Sequence, residues 1–124
     1  MSKPEKVPGP DHPITIAPTG ARVVVRAGNQ VIADTDTALT LNEADYRPVQ
    51  YVPLADVDPA VLLPSGTETY CPFKGEASYF TVATEAGEIK DAVWYYEFPF
   101  AAVGEIADHV AFYADRVEVS VGID

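Results

Sequence analysis

Residues 75–97 decide the fold, and they read GEASYFTVATEAGEIKDAVWYYE. Two segments rich in β-branched and aromatic residues, 75–83 and 89–97, flank residues 84–88, which include a glycine near the centre of a turn. Extended segments on either side of a short glycine-containing connection are typical of a β-hairpin. The stretch therefore predicts two long antiparallel strands.

The aromatic run Val93-Trp94-Tyr95-Tyr96 suits a half-buried pleated surface. Because side chains alternate along a strand, Trp94 and Tyr96 are predicted on one face and Tyr95 on the other. These rings could form the wall of a ligand pocket, or they could only fill the core and cover an edge. Glu97 lies between two aromatic residues, so we expect its carboxylate to be partly desolvated and include it among the candidate ligand-binding residues.

Short strands are predicted along most of the remaining chain. Residues 21–26 and 30–33 flank Ala27-Gly28-Asn29, a second hairpin, and further strands are predicted at 38–41, 49–52, 109–113 and 117–121. A helical turn is predicted at 58–63, with Asp58 as its N-cap and residues 64–66 as its end, and a short helix at 103–108. The fold class is thus mainly β with one or two short helical turns, arranged as a compact antiparallel sandwich or small barrel.

Length and composition predict a single domain. The 124 residues suit one core, and residues 14–124 are assigned to it. Residues 1–13 contain four prolines and little hydrophobic content, so they predict a flexible N-terminal arm. The single cysteine excludes an internal disulfide and every zinc site built on paired cysteines. The first residues lack a secretory signal, and no apolar run is long enough to span a bilayer, so a cytoplasmic location is predicted.

The charge excludes two classes of partner. Nineteen acidic residues against eight basic ones give a formal net charge of -11, and the basic residues are scattered along the chain. A nucleic acid or an anionic membrane surface would be repelled by this field, so neither is expected as a partner. A small anionic ligand is still compatible with it, because one desolvated cation in a cleft can outweigh distant charges.

Lys74 is the cation to consider, since it is the only Lys or Arg between Arg47 and Lys90. It follows Pro72 and Phe73 and precedes a glycine, which predicts a turn beside an apolar wall. Two interpretations are open: a ligand-binding or reactive amine, or a turn lysine whose charged head lies in water.

Cys71, three residues earlier, has two interpretations as well. It could be a nucleophile or redox thiol whose thiolate Lys74 favours, or a small buried hydrophobe. A catalytic cysteine also needs a base. His12 lies in the predicted arm and His109 opens a distant strand, so the sequence offers no histidine beside the thiol.

Other polar groups suggest no established chemistry. The acidic loop that includes Glu43, Asp45 and Tyr46 beside Arg47 is expected to be mostly solvated. No spacing of potential ligands supports a metal site, and the common enzyme motifs for hydrolases, zinc proteases and dinucleotide-binding enzymes are absent. Neither a metal nor a cofactor is therefore expected.

The chain resembles the family of domains of unknown function 427, also called nucleotidyltransferase-like. The resemblance covers about residues 23–121 and is most specific in three motifs: Cys71-Pro72-x-Lys74-Gly75-x-Ala77-x-Tyr79, Trp94-x-Tyr96-x-x-Pro99 and Ala111-Phe112-Tyr113. It implies a β fold similar to the β-tent domains, which include zinc-containing methionine sulfoxide reductases and cereblon-like ligand binders. The chain departs from their paired-cysteine zinc sites. It also lacks the carboxylate pair behind a Gly-Ser turn that a nucleotidyltransferase would need.

Three functions remain open. The first is a small-molecule binding module for an anionic or carbonyl-containing ligand, with candidate binding residues Cys71, Lys74, Tyr79, Trp94, Tyr96 and Glu97. The second is an enzyme of unknown reaction that uses Cys71 or Lys74. The third is a protein-interaction domain without a small ligand, using an exposed edge strand such as residues 117–121. Whether the chain is an enzyme at all, and its oligomeric state, stay undetermined.

Overall fold

A computed structural model describes residues 3–122 of the chain. Ten β-strands and three short 3₁₀ helices make up the regular structure of these residues. In chain order they are β1 (Ile14–Pro18), β2 (Val23–Ala27), β3 (Gln30–Thr35), β4 (Leu39–Glu43), β5 (Val49–Pro53), η1 (Leu54–Asp56), η2 (Pro59–Val61), β6 (Leu62–Cys71), β7 (Gly75–Thr84), β8 (Gly87–Tyr95), η3 (Ala101–Ile106), β9 (His109–Phe112) and β10 (Glu118–Val121).

The strands form two antiparallel sheets. The larger has seven strands in the order β1-β4-β5-β9-β8-β7-β6, and the smaller has three in the order β10-β2-β3. The predicted all-β antiparallel class is confirmed. Among residues 3–122 the larger sheet is open, with β1 and β6 as its edges, so the barrel alternative does not apply. The likeness to β-tent domains stays a prediction.

Both faces of the central strands of the larger sheet are buried, and alternation along these strands explains how. Val93 and Val52 pack into a core that includes β2 and β3 of the smaller sheet. Their neighbours Trp94 and Tyr51 point the other way, into a second core closed by η3. This is why residues 92–96 across the end of β8, Ala-Val-Trp-Tyr-Tyr, read as a continuous hydrophobic run. The predicted separation of Trp94 and Tyr96 from Tyr95 is confirmed, because Tyr95 packs against the first core.

Most predicted elements are present. Both hairpins form, and Asp58 caps η2 by accepting a hydrogen bond of 3.0 Å from the amide of Ala60. Residues 62–71 carry no strand prediction, because Pro64 and Gly66 interrupt the pattern, yet they form the ten-residue β6. The pairing of β6 with β7 shifts register between Pro64 and Glu68, which accommodates both residues.

A polar cluster holds this irregular part of the sheet. Asp91 has a φ of 53° and accepts hydrogen bonds from the hydroxyls of Ser65 and Thr67, at 2.5 Å and 2.7 Å. These two bonds, first Ser65 and then Thr67, lower the pKa of Asp91. The cluster therefore joins β8 to β6 across the intervening β7.

Of the helical segments in the described part of the chain, none has the length and hydropathy needed to cross a lipid bilayer.

Candidate functional site

The turn between β6 and β7 directs Lys74 into the protein. The amide of Lys74 donates to the carbonyl of Cys71 at 3.2 Å, and the carbonyl of Lys74 accepts from the amide of Phe100 at 3.0 Å. Gly75 follows at a φ of 116°, which L side chains rarely adopt. With its backbone fixed in this way, Lys74 is only 7% exposed. The interpretation of a turn lysine with its charged head in water is therefore wrong.

Glu43, at the end of β4, is the partner of Lys74. The ammonium of Lys74 donates a hydrogen bond to Oε1 of Glu43 in an ion pair whose side chains are 9% and 12% exposed. The other carboxylate oxygen, Oε2, lies 2.7 Å from Nε2 of His12. Burial by itself would raise the pKa of Glu43, but the hydrogen bonds from Lys74 and then His12 outweigh it and lower the pKa.

This contact corrects two expectations from the sequence. Glu43 is not mostly solvated, whereas Asp45 and Tyr46 are exposed as expected. His12 belongs to the predicted arm, yet its ring stacks on Phe73 with centroids 4.0 Å apart. One signal for Glu43 was present in the sequence. It lies two residues after the buried Leu41 on β4, so alternation turns both side chains to the same face.

Cys71 adjoins the same ion pair. Its Sγ lies 3.5 Å from Nζ of Lys74, and its side chain packs at the edge of the second core. His12, Glu43, Lys74 and Cys71 thus form a continuous chain of hydrogen bonds. The thiol itself does not line the cavity described next.

A cavity of about 180 Å³ opens beside Lys74. Its walls come from the β4–β5 region, from the turn lysine and from β8: Leu41, Glu43, Tyr46, Arg47, Val49, Tyr51, Lys74, Trp94 and Tyr96. Of the six predicted site residues, Lys74, Trp94 and Tyr96 line it together. Tyr79 does not line it: it pairs with Trp94 across β7 and β8, and its hydroxyl is 2.9 Å from that of Thr69.

Glu97 is placed elsewhere. It is exposed, so the expectation that aromatic neighbours desolvate it is wrong, and it does not border the Lys74 cavity. The chain leaves β8 at Tyr95, and the next aromatic residue after Glu97, Phe98, is 82% exposed. Since the strand ends before Glu97, the surrounding rings do not close over its carboxylate.

Two phenols of the cavity are held in their neutral form. Burial raises the pKa of Tyr51, an effect only partly opposed by the hydrogen bond that it receives from the indole of Trp94. Burial likewise raises the pKa of Tyr96, with a smaller contribution from the nearby Tyr51. Both hydroxyls can therefore donate hydrogen bonds at neutral pH.

Behind this wall, Trp94 packs on Tyr113 with ring centroids 4.5 Å apart. Burial, followed by the hydrogen bond between the hydroxyl of Tyr113 and Tyr79, raises the pKa of Tyr113 to about 12. Trp94 thus contacts two tyrosines: its indole donates a hydrogen bond to Tyr51, and its ring packs on Tyr113.

Arg47 supplies a second cation on the wall. It is exposed at the surface end of the cavity and forms no ion pair with any residue in 3–122. The charge of Lys74, by contrast, is matched by that of Glu43. Of the two cations on the cavity wall, Arg47 is therefore the one without a carboxylate partner in the described residues.

The same described range, 3–122, contains no group of three or more His, Cys, Asp and Glu side chains arranged to hold a metal ion.

Comparison with known proteins gives one family. A family model described as a domain of unknown function, DUF427, matches residues 15–122. Among curated proteins, none matches the chain. The matched range contains Glu43, Lys74 and Trp94 but not His12.

Proposed function

Since the chain belongs to the DUF427 family of domains of unknown function, its role has to be inferred from the site, and we propose that the cavity beside Lys74 binds a small organic anion or carbonyl compound. The observation that carries this proposal is the position of Lys74, a buried lysine on the wall of a cavity that Trp94 also lines. Lysines are rarely buried to this extent unless they are paired, and here the pairing with Glu43 holds the ammonium at the cavity wall. The proposal includes the cytoplasmic location that the sequence predicts.

The size of the cavity restricts the ligand. A volume of about 180 Å³ holds about six water molecules at ~30 Å³ each. It is smaller than the ~300 Å³ at which sites for drug-sized ligands begin. We infer that the ligand is a short-chain carboxylate or keto acid rather than a nucleotide or a sugar phosphate.

The polar groups fit the two ends of such a ligand. Arg47, which has no carboxylate partner within residues 3–122, can bind a carboxylate through two parallel hydrogen bonds. Lys74 uses one N–H for Glu43 and a second for Sγ of Cys71, and its third, with the hydroxyl of Tyr96, can reach a carbonyl oxygen. Leu41, Val49 and the ring of Trp94 supply apolar contacts for the carbon chain.

Thermal-shift and calorimetric titration with two- to six-carbon carboxylates and keto acids test the proposal. We expect Arg47→Gln and Lys74→Met each to weaken a hit about tenfold or more, the equivalent of about 1.4 kcal/mol. Lys90→Met removes an exposed cation elsewhere and serves as the matched control. A hit whose affinity is unchanged in both cavity variants would contradict the proposal. So would a panel in which the alcohols of the same shape bind as well as the acids.

A second candidate function is catalysis, favoured by the hydrogen-bonded chain from His12 to Cys71. An ammonium held by a carboxylate donates a hydrogen bond rather than an electron pair, so Lys74 would act as a general acid toward a carbonyl oxygen rather than as an imine former. The same ligand hits distinguish the two functions. A ligand that is recovered unchanged, by NMR, after long incubation with the protein indicates binding alone.

A further inference from the structure

A second concave surface lies along the outer edge of the larger sheet. It is an open groove of about 700 Å³ that contains four carboxylates, Glu5, Glu68, Glu76 and Glu97. Its aromatic members include Tyr70 and the 82% exposed Phe98. The groove shares no lining residue with the Lys74 cavity.

One cation already lies in this groove, and it comes from the chain itself. The ammonium of Lys3 is 5.1 Å from the centroid of the Tyr70 ring and 3.4 Å from Oε1 of Glu76. The hydroxyl of Tyr70 also donates a hydrogen bond to the carbonyl of Pro4. The groove therefore holds an alkylammonium between an aromatic face and a carboxylate, together with the polypeptide backbone that carries it.

The strand beside the groove lies at the edge of the larger sheet. β6 is an edge strand in the described structure, and Glu68 and Tyr70 belong to it. Edge strands have backbone N–H and C=O groups that no neighbouring strand satisfies, and an extended peptide can pair with them. Lys3 neutralises only one of the four carboxylates, so the groove keeps a negative charge for a partner.

We propose that this groove is a docking site for an extended, lysine- or arginine-bearing segment of a partner protein, with Lys3 as the resident competitor. The partner's cations take positions between the glutamates and the rings of Tyr70 and Phe98, and its backbone lies along β6. This surface acts independently of any ligand at Lys74. It also differs from the edge strand at residues 117–121 that the sequence suggested, because β10 belongs to the smaller sheet.

Fluorescence anisotropy with a labelled decapeptide of alternating Lys and Thr tests the docking site. We expect Glu76→Lys/Glu97→Lys to weaken binding about tenfold or more. The control, Glu85→Lys/Glu88→Lys, makes the same change in charge at exposed positions of the β7–β8 hairpin, with Glu85 in the turn and Glu88 at the start of β8. That turn is at the other end of the ten-residue β7, about 30 Å from Gly75 at ~3.3 Å per residue. We expect the control to weaken binding by less than about threefold, through the long-range field alone.

Removing the side chain of Lys3, the proposed competitor, is expected to change the peptide affinity in the opposite direction. We expect Lys3→Ala to tighten binding of the same peptide, whereas Lys90→Ala, which removes an exposed positive charge on β8, changes it less. Equal effects of the two charge-reversal pairs would overturn the proposal, because only the net charge would then matter. Equal affinity for a peptide of alternating norleucine and Thr would overturn it too, as would light scattering that shows two copies of the chain covering the groove.

Discussion

At the scale of single residues, the ion pair between Lys74 and Glu43 is the least expected feature of the molecule. Removing two charges from water is expensive, and their attraction compensates only when further hydrogen bonds satisfy both groups. Here His12 supplies the second bond to Glu43, at 2.7 Å, and Cys71 contacts the ammonium at 3.5 Å. Breaking the pair from one side should therefore be worse than removing both charges.

We predict that Glu43→Leu lowers the free energy of unfolding by about 3 kcal/mol, because it leaves the buried ammonium of Lys74 without a counter-charge. Lys74→Met should cost less, since Glu43 keeps His12 as a partner. The double variant Glu43→Leu/Lys74→Met should recover much of the loss. Urea unfolding of the four proteins gives the coupling energy as a double-mutant cycle.

An exposed ion pair serves as the reference for this double-mutant cycle. Arg22 and Asp34 form an ion pair with side chains 48% and 45% exposed, so Asp34→Leu should change stability much less than Glu43→Leu. If the single losses at Glu43 and Lys74 simply added in the double variant, the two side chains would not be coupled in solution.

At the scale of elements, the turn from β6 to β7 fixes the direction of Lys74. Gly75 has a φ of 116°, and a Cβ there would lie 3.5 Å from the carbonyl oxygen of Phe98 and 3.8 Å from the ring of Phe100. These contacts are ordinary in length, so the strain of a substitution would come from the backbone angle rather than from a clash.

We predict that Gly75→Ala destabilises the protein by about 1–3 kcal/mol, the usual range for a side chain forced into a disfavoured backbone region. It should also weaken any ligand of the Lys74 cavity, because the preceding lysine would turn. Gly104→Ala is the control, since its φ is not positive and a Cβ would meet no atom within 4 Å. Thermal unfolding measures both variants. An alanine at position 75 that unfolds like the wild type would show that the turn tolerates other backbone angles.

Some of these elements could be predicted from the sequence and others could not. Alternation and turn glycines were enough for the hairpins at β2–β3 and β7–β8. These signals did not predict β6, because its proline and glycine interrupt the pattern. A register shift accommodates both residues, and Asp91, two strands away on β8, stabilises it through a hydrogen bond from Ser65. Lys74 was recognisable as an isolated cation, but its partner lies 31 positions earlier in the chain. In the sheet, β5, β9 and β8 lie between β4 and β7, so no pairing of neighbouring strands predicts this contact.

At the scale of the whole molecule, the net charge is the property that follows most directly from the sequence. The formal net charge of -11 belongs to a chain in which, among residues 3–122, no Asp or Glu is buried in either core. Two features depart from this pattern: Glu43 is turned inward toward Lys74, and the β6 groove gathers carboxylates around a single lysine. In both candidate sites, a lysine lies beside carboxylates and locally reduces the repulsion among the acidic groups.

That repulsion leads to our last prediction, that added salt stabilises this protein. Raising NaCl from about 20 mM to about 300 mM shortens the screening length from about 20 Å to about 6 Å, which weakens repulsion across the folded surface. Exposed attractive pairs such as Lys3–Glu76 are screened too, but they contribute little. We therefore expect the melting temperature to rise by a few degrees. The variant Glu85→Lys/Glu88→Lys, with a formal net charge of -7 in place of -11, should show a smaller rise. A melting temperature that falls with salt, or rises equally in both proteins, would mean that specific pairs rather than net charge control the response.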